Sequence, residues 1–530
     1  MPSPSNTLRV LHFNDVYHVG AGNKEPVGGA ARFGSLLHSL QRDTSAGPTL
    51  TLFSGDAYFP SLESSISRGE HMLPVLNQLN IDASTLGNHE FDQGIDLLEG
   101  LIKRNNFPWV ITNLTDGKTG NPAAKGSLKY LIKEIDGLRV GIIGIIEKEW
   151  LDTLPCLPPT FEYHDFVIAA KEMATKLKSQ SDKTMGCDLV ICLSHMRLNN
   201  DIKLAEECAD VIDLVLSGHD HFYYIGSGID VYDDPDLNQL PEKYSGHDDD
   251  TAMLATWKSE RAQLPPNSQG KRLVKSGTDF RDLSEIMLEL DRSNPDKVHI
   301  NKISVKRHRT TSRVVEDQEI RGMVDRIEAH LSKALDKIIG ISTTDLDARS
   351  TVCRTQESNY GSLSGDLMRL CYAESAGAQI AFLCGGAIRS DKVFPAGEIS
   401  MRNIMEVFPF EDPVVVVRLT GDQIRRALEN GVSKWPAQEG RFPQVSGIRF
   451  EFDPQRAPGD PESDYGDEEN EELDMNTYYN VATRDYMYQG HDGYEALNEG
   501  ELIVDEENGI TFSNLYRRYF YGLAVCNALR

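Results

Sequence analysis

Five apolar runs in the first 221 residues are each followed by side chains of the types that can bind a metal ion. The runs cover residues 8–13, 49–53, 81–86, 188–193 and 211–216. They are followed by Asn14-Asp15, Ser54-Gly55-Asp56, Gly87-Asn88-His89-Glu90-Phe91-Asp92, His195, and Gly218-His219-Asp220-His221. In an α/β sheet, ligands bind in the crevice at the carboxyl ends of the strands. Carboxylates, imidazoles and an amide oxygen gathered there suit divalent metal ions. A single Gly-Asp is ordinarily a turn, but five such strand ends in succession predict a metal site.

The surrounding pattern predicts an α/β fold. Residues 1–290 alternate short apolar runs with amphipathic stretches. Strands are predicted at 8–13, 49–53, 109–113, 138–146, 189–193 and 214–216, and helices at 64–80, 94–105 and 166–180. Several of these strands are apolar on both faces, as expected in a sheet that is covered on two sides.

A chain of 530 residues is too long for one core, so at least two domains are expected. Apolar positions spaced by three and four predict an amphipathic helix at 317–339. We assign a catalytic domain to 1–315, a linking helix to 316–340, and a second, mixed α/β domain to 341–530, whose clearest strand is 414–419. Residues 227–272 are predicted to be an inserted loop, and the acidic run 457–475 a solvated loop.

Composition narrows the class of partner. A net charge of −27 argues against a nucleic acid polymer as partner, because an acidic protein repels a polyphosphate backbone. Clustered arginines can still bind a small phosphorylated ligand. No stretch approaches ~20 uninterrupted apolar residues, and the N-terminus lacks an apolar signal core. We therefore expect no membrane association and a cytoplasmic location.

The strand-end motifs resemble those of the calcineurin-like metallophosphoesterases, and more narrowly those of the 5′-nucleotidase family with its C-terminal nucleotidase domain. The resemblance implies a four-layer αββα sandwich and two divalent metal ions, with Mn, Zn, Co, Fe and Mg all open. It implies the metal ligands Asp15, Asp56, Asn88, His195, His219 and His221. Asp56 would bridge both ions, Asp15 and His221 would hold one ion, and the other three ligands would hold the second.

His89 and Asp92 match the catalytic pair of that family. His89 would stabilise or protonate the leaving oxygen, and Asp92 would fix the tautomer and orientation of the imidazole. Asp92 is alternatively the N-cap of a helix that begins near Gly94, and both roles can coexist.

The first motif departs from the family pattern Asp-x-His. It is Asp15-Val16-Tyr17-His18, with Tyr17 at the histidine position. A tyrosinate can bind a hard ion, a one-residue bulge can bring in His18, or Asp15 can occupy that corner with water completing the shell. Metal identity and affinity depend on which of these holds.

Motifs of the second half resemble the nucleotidase C-terminal domain. The substrate-binding residues implied are Arg354, Arg389, Phe410, Tyr486 and Asp492. The arginines would meet the phosphate side, the two rings would stack on the base, worth ~1–3 kcal/mol per base, and the aspartate would bind ribose hydroxyls. Phe410 and Tyr486 are alternatively core residues. The family usually has asparagine where this chain has Cys384 and glycine where it has His491, so base preference is not inherited.

These features predict two-metal hydrolysis of nucleoside monophosphates to nucleoside and phosphate, in nucleotide catabolism. Nucleotide sugars, cyclic nucleotides and other phosphate esters stay open as substrates. A nucleotide-binding pseudo-phosphatase that acts as a sensor is the alternative of a different class. The sequence does not set the oligomeric state.

Overall fold

The computed structural model describes residues 5–22, 24–151, 154, 157–179, 181, 184–231, 269–294, 298–410, 412–455, 472–506 and 508–529. The chain forms two compact units, Met1–Ala329 and His330–Arg530. Most of the predicted insertion 227–272 and of the acidic run 457–475 lies outside the described residues. The assignment of a catalytic role to 1–315 and of nucleotide binding to 341–530 stays a prediction.

The first unit is built from two large sheets and the helices that cover them. In the described ranges its strands β1 to β15 are Thr7–Phe13, Thr49–Phe53, Ala83–Thr85, Trp109–Val110, Leu114–Asp116, Leu131–Ile135, Leu138–Ile146, Phe161–Tyr163, Leu189–Met196, Leu214–His219, Tyr223–Ile225, Asp230–Val231, Leu273–Ser276, Asp282–Asp291 and His299–Arg309. Its helices α1 to α7 are Ala30–Arg42, Leu62–Ser67, Met72–Leu76, Ile95–Ile102, Phe166–Lys178, Leu198–Glu207 and Gln318–Leu335. Helix α7 contains the division between the two units.

Parallel strands lie at the centre of both sheets. The seven-stranded sheet has the order β12-β15-β14-β1-β2-β3-β4, and the six-stranded sheet the order β11-β13-β10-β9-β7-β6. Strands β1 to β4 run parallel to one another, as do β7, β9, β10 and β13. The carboxyl ends of each parallel set therefore meet at one edge.

The core of this unit consists of three apolar layers. Val10 and Leu52 of one sheet pack with Ile142 and Leu216 of the other in a shared cluster. Helices α1, α3, α4 and the start of α7 cover the outer face of the first sheet, and α5 and α6 cover that of the second. This arrangement confirms the predicted αββα sandwich.

Several predicted elements differ in extent. The strand predicted at 109–113 is Trp109–Val110, the strand predicted at 214–216 is Leu214–His219, and the helix predicted at 317–339 is Gln318–Leu335, after which a strand begins at Ile338. The helix predicted at 64–80 is two short helices, α2 and α3, because Arg68 and Gly69 adopt left-handed φ values of 57° and 80°, which an α-helix does not contain. Strand β9 continues past residue 193 to Met196, because it pairs with β7 as far as Ile146 and with β10 as far as His219. His195 therefore lies within the strand.

The second unit is a mixed α/β domain, as predicted. Its described strands β16 to β24 are Ile338–Ser342, Leu346–Asp347, Ile380–Cys384, Val393–Phe394, Gly397–Ser400, Val414–Thr420, Pro443–Ser446, Tyr478–Arg484 and Glu501–Val504. Its described helices α8 to α14 are Ser350–Cys353, Asn359–Tyr372, Met401–Val407, Gly421–Val432, Asp485–Tyr488, Glu495–Asn498 and Phe512–Leu529. The main sheet has the order β22-β18-β23-β21-β24. Across the described parts of both units, no helix is long and apolar enough to span a membrane.

Candidate active site

All six predicted metal ligands lie at or just beyond the carboxyl ends of parallel strands in the first unit. Asp15, Asp56 and Asn88 follow β1, β2 and β3, while His195 and His219 lie at the ends of β9 and β10, with His221 two residues later. Five of them are at most 1% exposed, and the His221 side chain is 26% exposed. The two sheets therefore bring together side chains that are up to 206 residues apart in sequence.

Four of these side chains form one compact corner of the site, the imidazole corner. The His195 Nε2 atom lies 3.0 Å from Asp56 Oδ2 and 3.1 Å from Asn88 Oδ1. The same Asn88 oxygen lies 3.0 Å from His219 Nδ1. Donor atoms of Asp56, His195 and His219 all lie within 4.8 Å of one another, a spacing that one metal ion can span.

The opposite corner contains Asp15, Asp56, His221 and the phenol of Tyr17, and we call it the oxygen-rich corner. Tyr17 Oη lies 3.1 Å from Asp15 Oδ1, 3.2 Å from Asp56 Oδ2 and 2.9 Å from His221 Nε2. The neighbouring His18 points to Glu63, 3.3 Å away. The alternative in which a bulge brings His18 into the site is therefore wrong.

The backbone around the ligands is strained. Asp15, Asp56 and His219 have φ values of 52°, 60° and 77°, a region that costs residues other than glycine about 1–3 kcal/mol and that clusters at functional sites. Gly87 is required sterically, because a Cβ there would lie 2.2 Å from Asp56 Oδ1 and 2.6 Å from His195 Cε1. The fold therefore maintains this cluster at the expense of local backbone energy.

The electrostatics of the cluster suit a cation. Burial lowers the pKa of His195, but the carboxylates of Asp56 and Asp15 raise it more, to about 10. Burial and the neighbouring His195 hold the pKa of His219 well below its usual value, so that His219 is a neutral imidazole. Its Nε2 atom is buried and accepts no hydrogen bond from the described residues. Divalent metals bind anionic oxygens and neutral imidazoles. His219 is already neutral, whereas His195, whose proton is held by the Asp56 and Asp15 carboxylates, would release that proton when an ion takes its place beside them, and on these terms the residues fit such an ion.

Two buried glutamates that the sequence motifs did not assign support the ligands. Glu90 accepts hydrogen bonds from the backbone N–H groups of Asp56 at 2.9 Å, Ala57 at 2.7 Å and Gly87 at 2.7 Å, and so joins two ligand loops. Glu147 Oε1 lies 3.9 Å from His219 Nε2. Burial raises the pKa of both carboxyls to about 7. Glu147 directly follows β7, so the same strand-end signal would have identified it.

The predicted catalytic pair is assembled. His89 lies in a 3₁₀ turn, and its Nδ1 atom is 3.0 Å from Asp92 Oδ2. The backbone N–H of His89 donates to Asp56 Oδ1 at 2.9 Å, which places the imidazole beside the metal ligands. Helix α4 begins after Gly94 with no side-chain cap, so Asp92 is not its N-cap.

In the second unit the structure brings four of the five predicted substrate-binding residues together. Phe410 is 42% exposed, so the alternative of a core residue is wrong for it. The Arg389 guanidinium lies 5.1 Å from the Phe410 ring centre, and Tyr486 Oη donates to Asp492 Oδ1 at 3.3 Å. The fifth residue, Arg354, donates instead to the Gln438 carbonyl at 3.3 Å.

Arg484 is a residue of this second group that sequence reasoning missed. Its guanidinium lies 5.4 Å from the Phe410 ring centre and 5.3 Å from that of Tyr486, so it joins the two aromatic residues. It pairs with Asp412 and donates to Cys384 Sγ at 3.7 Å. Arg484 is the last residue of a strand, and the sequence motif that follows this strand, Asp485-Tyr486, pointed only to Tyr486.

Two stretches of the chain match described families. Residues 8–223 match the calcineurin-like phosphoesterases, and residues 338–499 match the 5′-nucleotidase C-terminal domain. The first stretch contains all six candidate ligands, and the second contains all five candidate substrate residues.

Individual proteins are similar over nearly the whole chain. The 5′-nucleotidase of Homo sapiens is 27% identical, over 94% of this chain and 86% of its own. The trifunctional nucleotide phosphoesterase protein YfkN of Bacillus subtilis is 25% identical over 93% of this chain, which spans 32% of that larger protein. The solved structure of Haemophilus influenzae NAD nucleotidase (NadN) has the same fold, with a TM-score of 0.71, 18% identity and coverage of 98% of this chain and 96% of that one.

Proposed function

Because the chain belongs to the 5′-nucleotidase family of calcineurin-like phosphoesterases, we propose that it hydrolyses nucleoside monophosphates to nucleoside and phosphate with two divalent metal ions. The family consists of metal-dependent hydrolases of phosphate esters, so hydrolysis of a phosphate ester follows from membership. The single observation that carries the two-metal mechanism is the convergence of six ligand-type side chains at one edge of the sandwich. The exposed aromatic residues of the second unit support the choice of a nucleoside phosphate as substrate.

The two corners suggest how two ions are held. The imidazole corner offers Asp56, Asn88, His195 and His219 to one ion, and the oxygen-rich corner offers Asp15, Asp56 and His221 to the other. Asp56 is the proposed bridge, because its Oδ2 atom contacts both His195 and Tyr17. Two bound ions would polarise the phosphoryl oxygens and make a water molecule nucleophilic at neutral pH.

His89 is the proposed general acid. Its Nδ1 atom is directed at the Asp92 carboxylate, so Asp92 fixes the tautomer that carries the Nδ1 proton and stabilises the charged imidazolium. The proton given to the leaving oxygen is then that of Nε2. Asp92 acts on the reaction through His89 and is a positioning residue.

The second unit is proposed to bind the nucleoside. Phe410 and Tyr486 offer ring faces to a base, and Asp492 offers carboxylate oxygens to ribose hydroxyls. Arg389 and Arg354 are proposed to meet the phosphate side. Stacking tolerates any base, which leaves other nucleotide esters as a second candidate class of substrate. That candidate is favoured by the similarity to a protein named for three nucleotide phosphoesterase activities.

The first test is phosphate release by the full chain, stripped of metal and reloaded with Mn²⁺, Co²⁺, Zn²⁺ or Mg²⁺. The substrates are nucleoside monophosphates, a nucleotide sugar, a cyclic nucleotide and ribose 5-phosphate, with a second phosphatase added where the product retains phosphate. We expect metal-dependent turnover that is fastest with a nucleoside monophosphate. Turnover of ribose 5-phosphate alone would contradict nucleoside recognition, and binding of metal and nucleotide without turnover would favour the sensor alternative.

His89→Asn tests the catalytic assignment. General acid catalysis contributes about 10²- to 10⁴-fold to the rate, so kcat should fall by that factor while metal content stays constant. His299→Asn is the matched control, because His299 is an exposed histidine of the same unit. Equal activity of both variants would remove His89 from the mechanism.

A further inference from the structure

Arg484 is a buried cation that lies between the two aromatic residues of the second unit. It is the last residue of β23 and is 4% exposed. Its guanidinium carbon lies 5.4 Å from the Phe410 ring centre and 5.3 Å from the Tyr486 ring centre. Because Phe410 itself is exposed, the guanidinium lies at the inner end of the space between the two rings.

Much of the hydrogen-bonding capacity of this guanidinium is unused. An arginine side chain has five N–H donors. Arg484 donates from Nη2 to Asp412 and from Nη1 to Cys384 Sγ at 3.7 Å, and sulfur is a weak acceptor. Its remaining N–H groups have no acceptor in the described part of the chain. Buried donors without an acceptor are costly, so a ligand that brings acceptor atoms to Arg484 would recover that cost.

A second arginine contacts the same ring closer to the surface. The Arg389 guanidinium lies 5.1 Å from the Phe410 ring centre, and Arg389 is an exposed residue. Arg389 is the arginine proposed above to meet the phosphate side. The phosphate and the base are at opposite ends of a nucleotide, so the edge of the base that is farthest from the phosphate is the part that would reach Arg484.

Contacts within the second unit hold both the ring and the cation in place. The Tyr486 hydroxyl donates to Asp492, and the Tyr486 ring stacks on His491 with 4.6 Å between the ring centres. Arg484 is held by its ion pair with Asp412. Little ordering is then lost when a ligand binds, so that the hydrogen bonds of Arg484 can discriminate between bases.

The purine bases differ at the edge that Arg484 would meet. Guanine and hypoxanthine have a 6-oxo group beside N7, two adjacent acceptors that a planar guanidinium meets with two N–H groups. Adenine has a 6-amino group in the same place, which is a donor and would face the N–H groups of the guanidinium. A site with buried donors rejects an analogue that cannot accept from them. The unused donors of Arg484 therefore favour a 6-oxopurine.

We propose that Arg484 selects the base, and that the preferred substrates are nucleotides of the 6-oxopurines guanine and hypoxanthine. Adenine nucleotides bind more weakly because Arg484 offers no acceptor to their 6-amino group. The inference rests on the proposed function, in which the second unit binds the nucleoside, and it adds the class of base.

The test measures the binding of inosine and adenosine to the full, metal-loaded chain by isothermal titration calorimetry. These nucleosides have no phosphate and are not hydrolysed, so the comparison isolates the base. One bidentate contact between an arginine and a purine discriminates by about 5- to 150-fold, and the Kd of adenosine should exceed that of inosine by this factor. The ratio of kcat/KM for the two nucleoside monophosphates should favour inosine in the same way, and it decides the question where a nucleoside binds too weakly for calorimetry.

Arg484→Gln changes the donor pattern. A glutamine amide has one acceptor and one donor, which pair with the 6-amino group and N7 of adenine. The ratio of the adenosine Kd to the inosine Kd should therefore fall to about one or below. Arg484→Lys keeps a charge beside Asp412 without the planar fork, so it should also lower the ratio, even if Arg484→Gln folds poorly. Arg418→Gln is the matched control, because Arg418 is an exposed arginine of the neighbouring strand β21, and it should keep the wild-type ratio.

The outcomes distinguish this inference from the proposed function. Equal affinities for the two nucleosides in the wild-type protein, or tighter binding of adenosine, would overturn the selection of a 6-oxopurine. An unchanged ratio in Arg484→Gln or in Arg484→Lys would overturn the role of Arg484. In each case the hydrolysis of nucleoside monophosphates, measured separately by phosphate release, would stand. A full chain that binds neither nucleoside and hydrolyses no nucleotide would overturn both.

Discussion

Lys275 is a fully buried cation whose contacts lie beside two of the candidate metal ligands. Its ammonium group donates to the carbonyl oxygen of Met196 at 2.8 Å and to that of Gly218 at 2.6 Å. Met196 follows His195, and Gly218 precedes His219, so one side chain ties the ends of β9 and β10 together. The replacement Lys275→Met keeps the length of the side chain and removes its charge and donors.

The cost follows from the two carboxylates that would lose their partner. Lys275 Nζ lies 2.7 Å from Asp201 Oδ2 and 2.9 Å from Asp220 Oδ2. Burial already raises the pKa of Asp201 above its usual value, even though Lys275 lowers it. Removal of one partner from a buried ion pair costs about 3–5 kcal/mol, a large share of the ~5–15 kcal/mol that stabilises a typical domain.

The assay is urea unfolding followed by tryptophan fluorescence, to which the buried Trp109 and Trp150 of the first unit contribute. Lys271→Met is the matched control, because Lys271 is an exposed lysine that lies two residues before the start of β13. The double variant Lys275→Met with Asp201→Asn removes both charges and should recover part of the loss. Metal content should fall in the single variant, since the strand ends that carry His195 and His219 lose their common anchor.

A loss below about 1 kcal/mol, the range of surface ion pairs, would refute this reasoning. So would a double variant that is less stable than Lys275→Met alone, because that result would show that Asp201 is stabilising without its cation.

Three further predictions concern single substitutions. Gly87→Ala should abolish metal retention, because its Cβ would lie 2.2 Å from Asp56 Oδ1, whereas Gly100→Ala, with open space around it, should leave elemental metal content unchanged. Phe410→Leu should raise KM for a nucleoside monophosphate, since base stacking is worth about 1–3 kcal/mol, and should leave KM for ribose 5-phosphate unaltered. Tyr478→Leu is the control, because Tyr478 is also an exposed aromatic residue of the second unit. Equal effects of Phe410→Leu on both substrates would contradict stacking. Asp317 accepts the N–H groups of Glu319 and Ile320 at the start of α7, and although burial raises its pKa, these bonds and His38 lower it more. Because the pKa of this carboxyl is lower in the folded state, its contribution to stability is present at pH 7 and is lost as the pH falls below ~4. Asp317→Ala should therefore destabilise the protein by about 1 kcal/mol at pH 7 and by less at pH 3. Denaturant titrations at the two pH values measure the difference.

The sequence predicted the strands of the first sandwich well because their signal is local. The predicted strands at 49–53 and 138–146 coincide with β2 and β7, since continuous apolar runs between polar turns have few alternatives in a two-sided sheet. The helix predicted at 64–80 was wrong in extent, because its apolar spacing continues across Arg68 and Gly69 while the backbone there turns left-handed.

The site residues also divide into those with a local sequence signal and those without one. Strand ends marked Asp15, Asp56, Asn88 and His219 as neighbours, because parallel strands place their carboxyl ends at one edge. Glu147 follows β7 in the same way and was overlooked among the charged residues 147–149. Arg484 ends a strand and Lys275 lies inside one, and in neither place does a cation give a local sign of the partner that it meets in the folded protein.

The sequence by itself predicted the family resemblance, the sandwich fold of the first unit and the candidate ligands, because each depends on residue types at fixed spacings along the chain. Only the tertiary structure decided which side chain occupies the corner beside Asp15. Tyr17 and His18 are adjacent in sequence and point in different directions, one to Asp56 and His221 and the other to Glu63. That choice depends on the packing of segments that are far apart in the chain, and no spacing within Asp15-Val16-Tyr17-His18 encodes it.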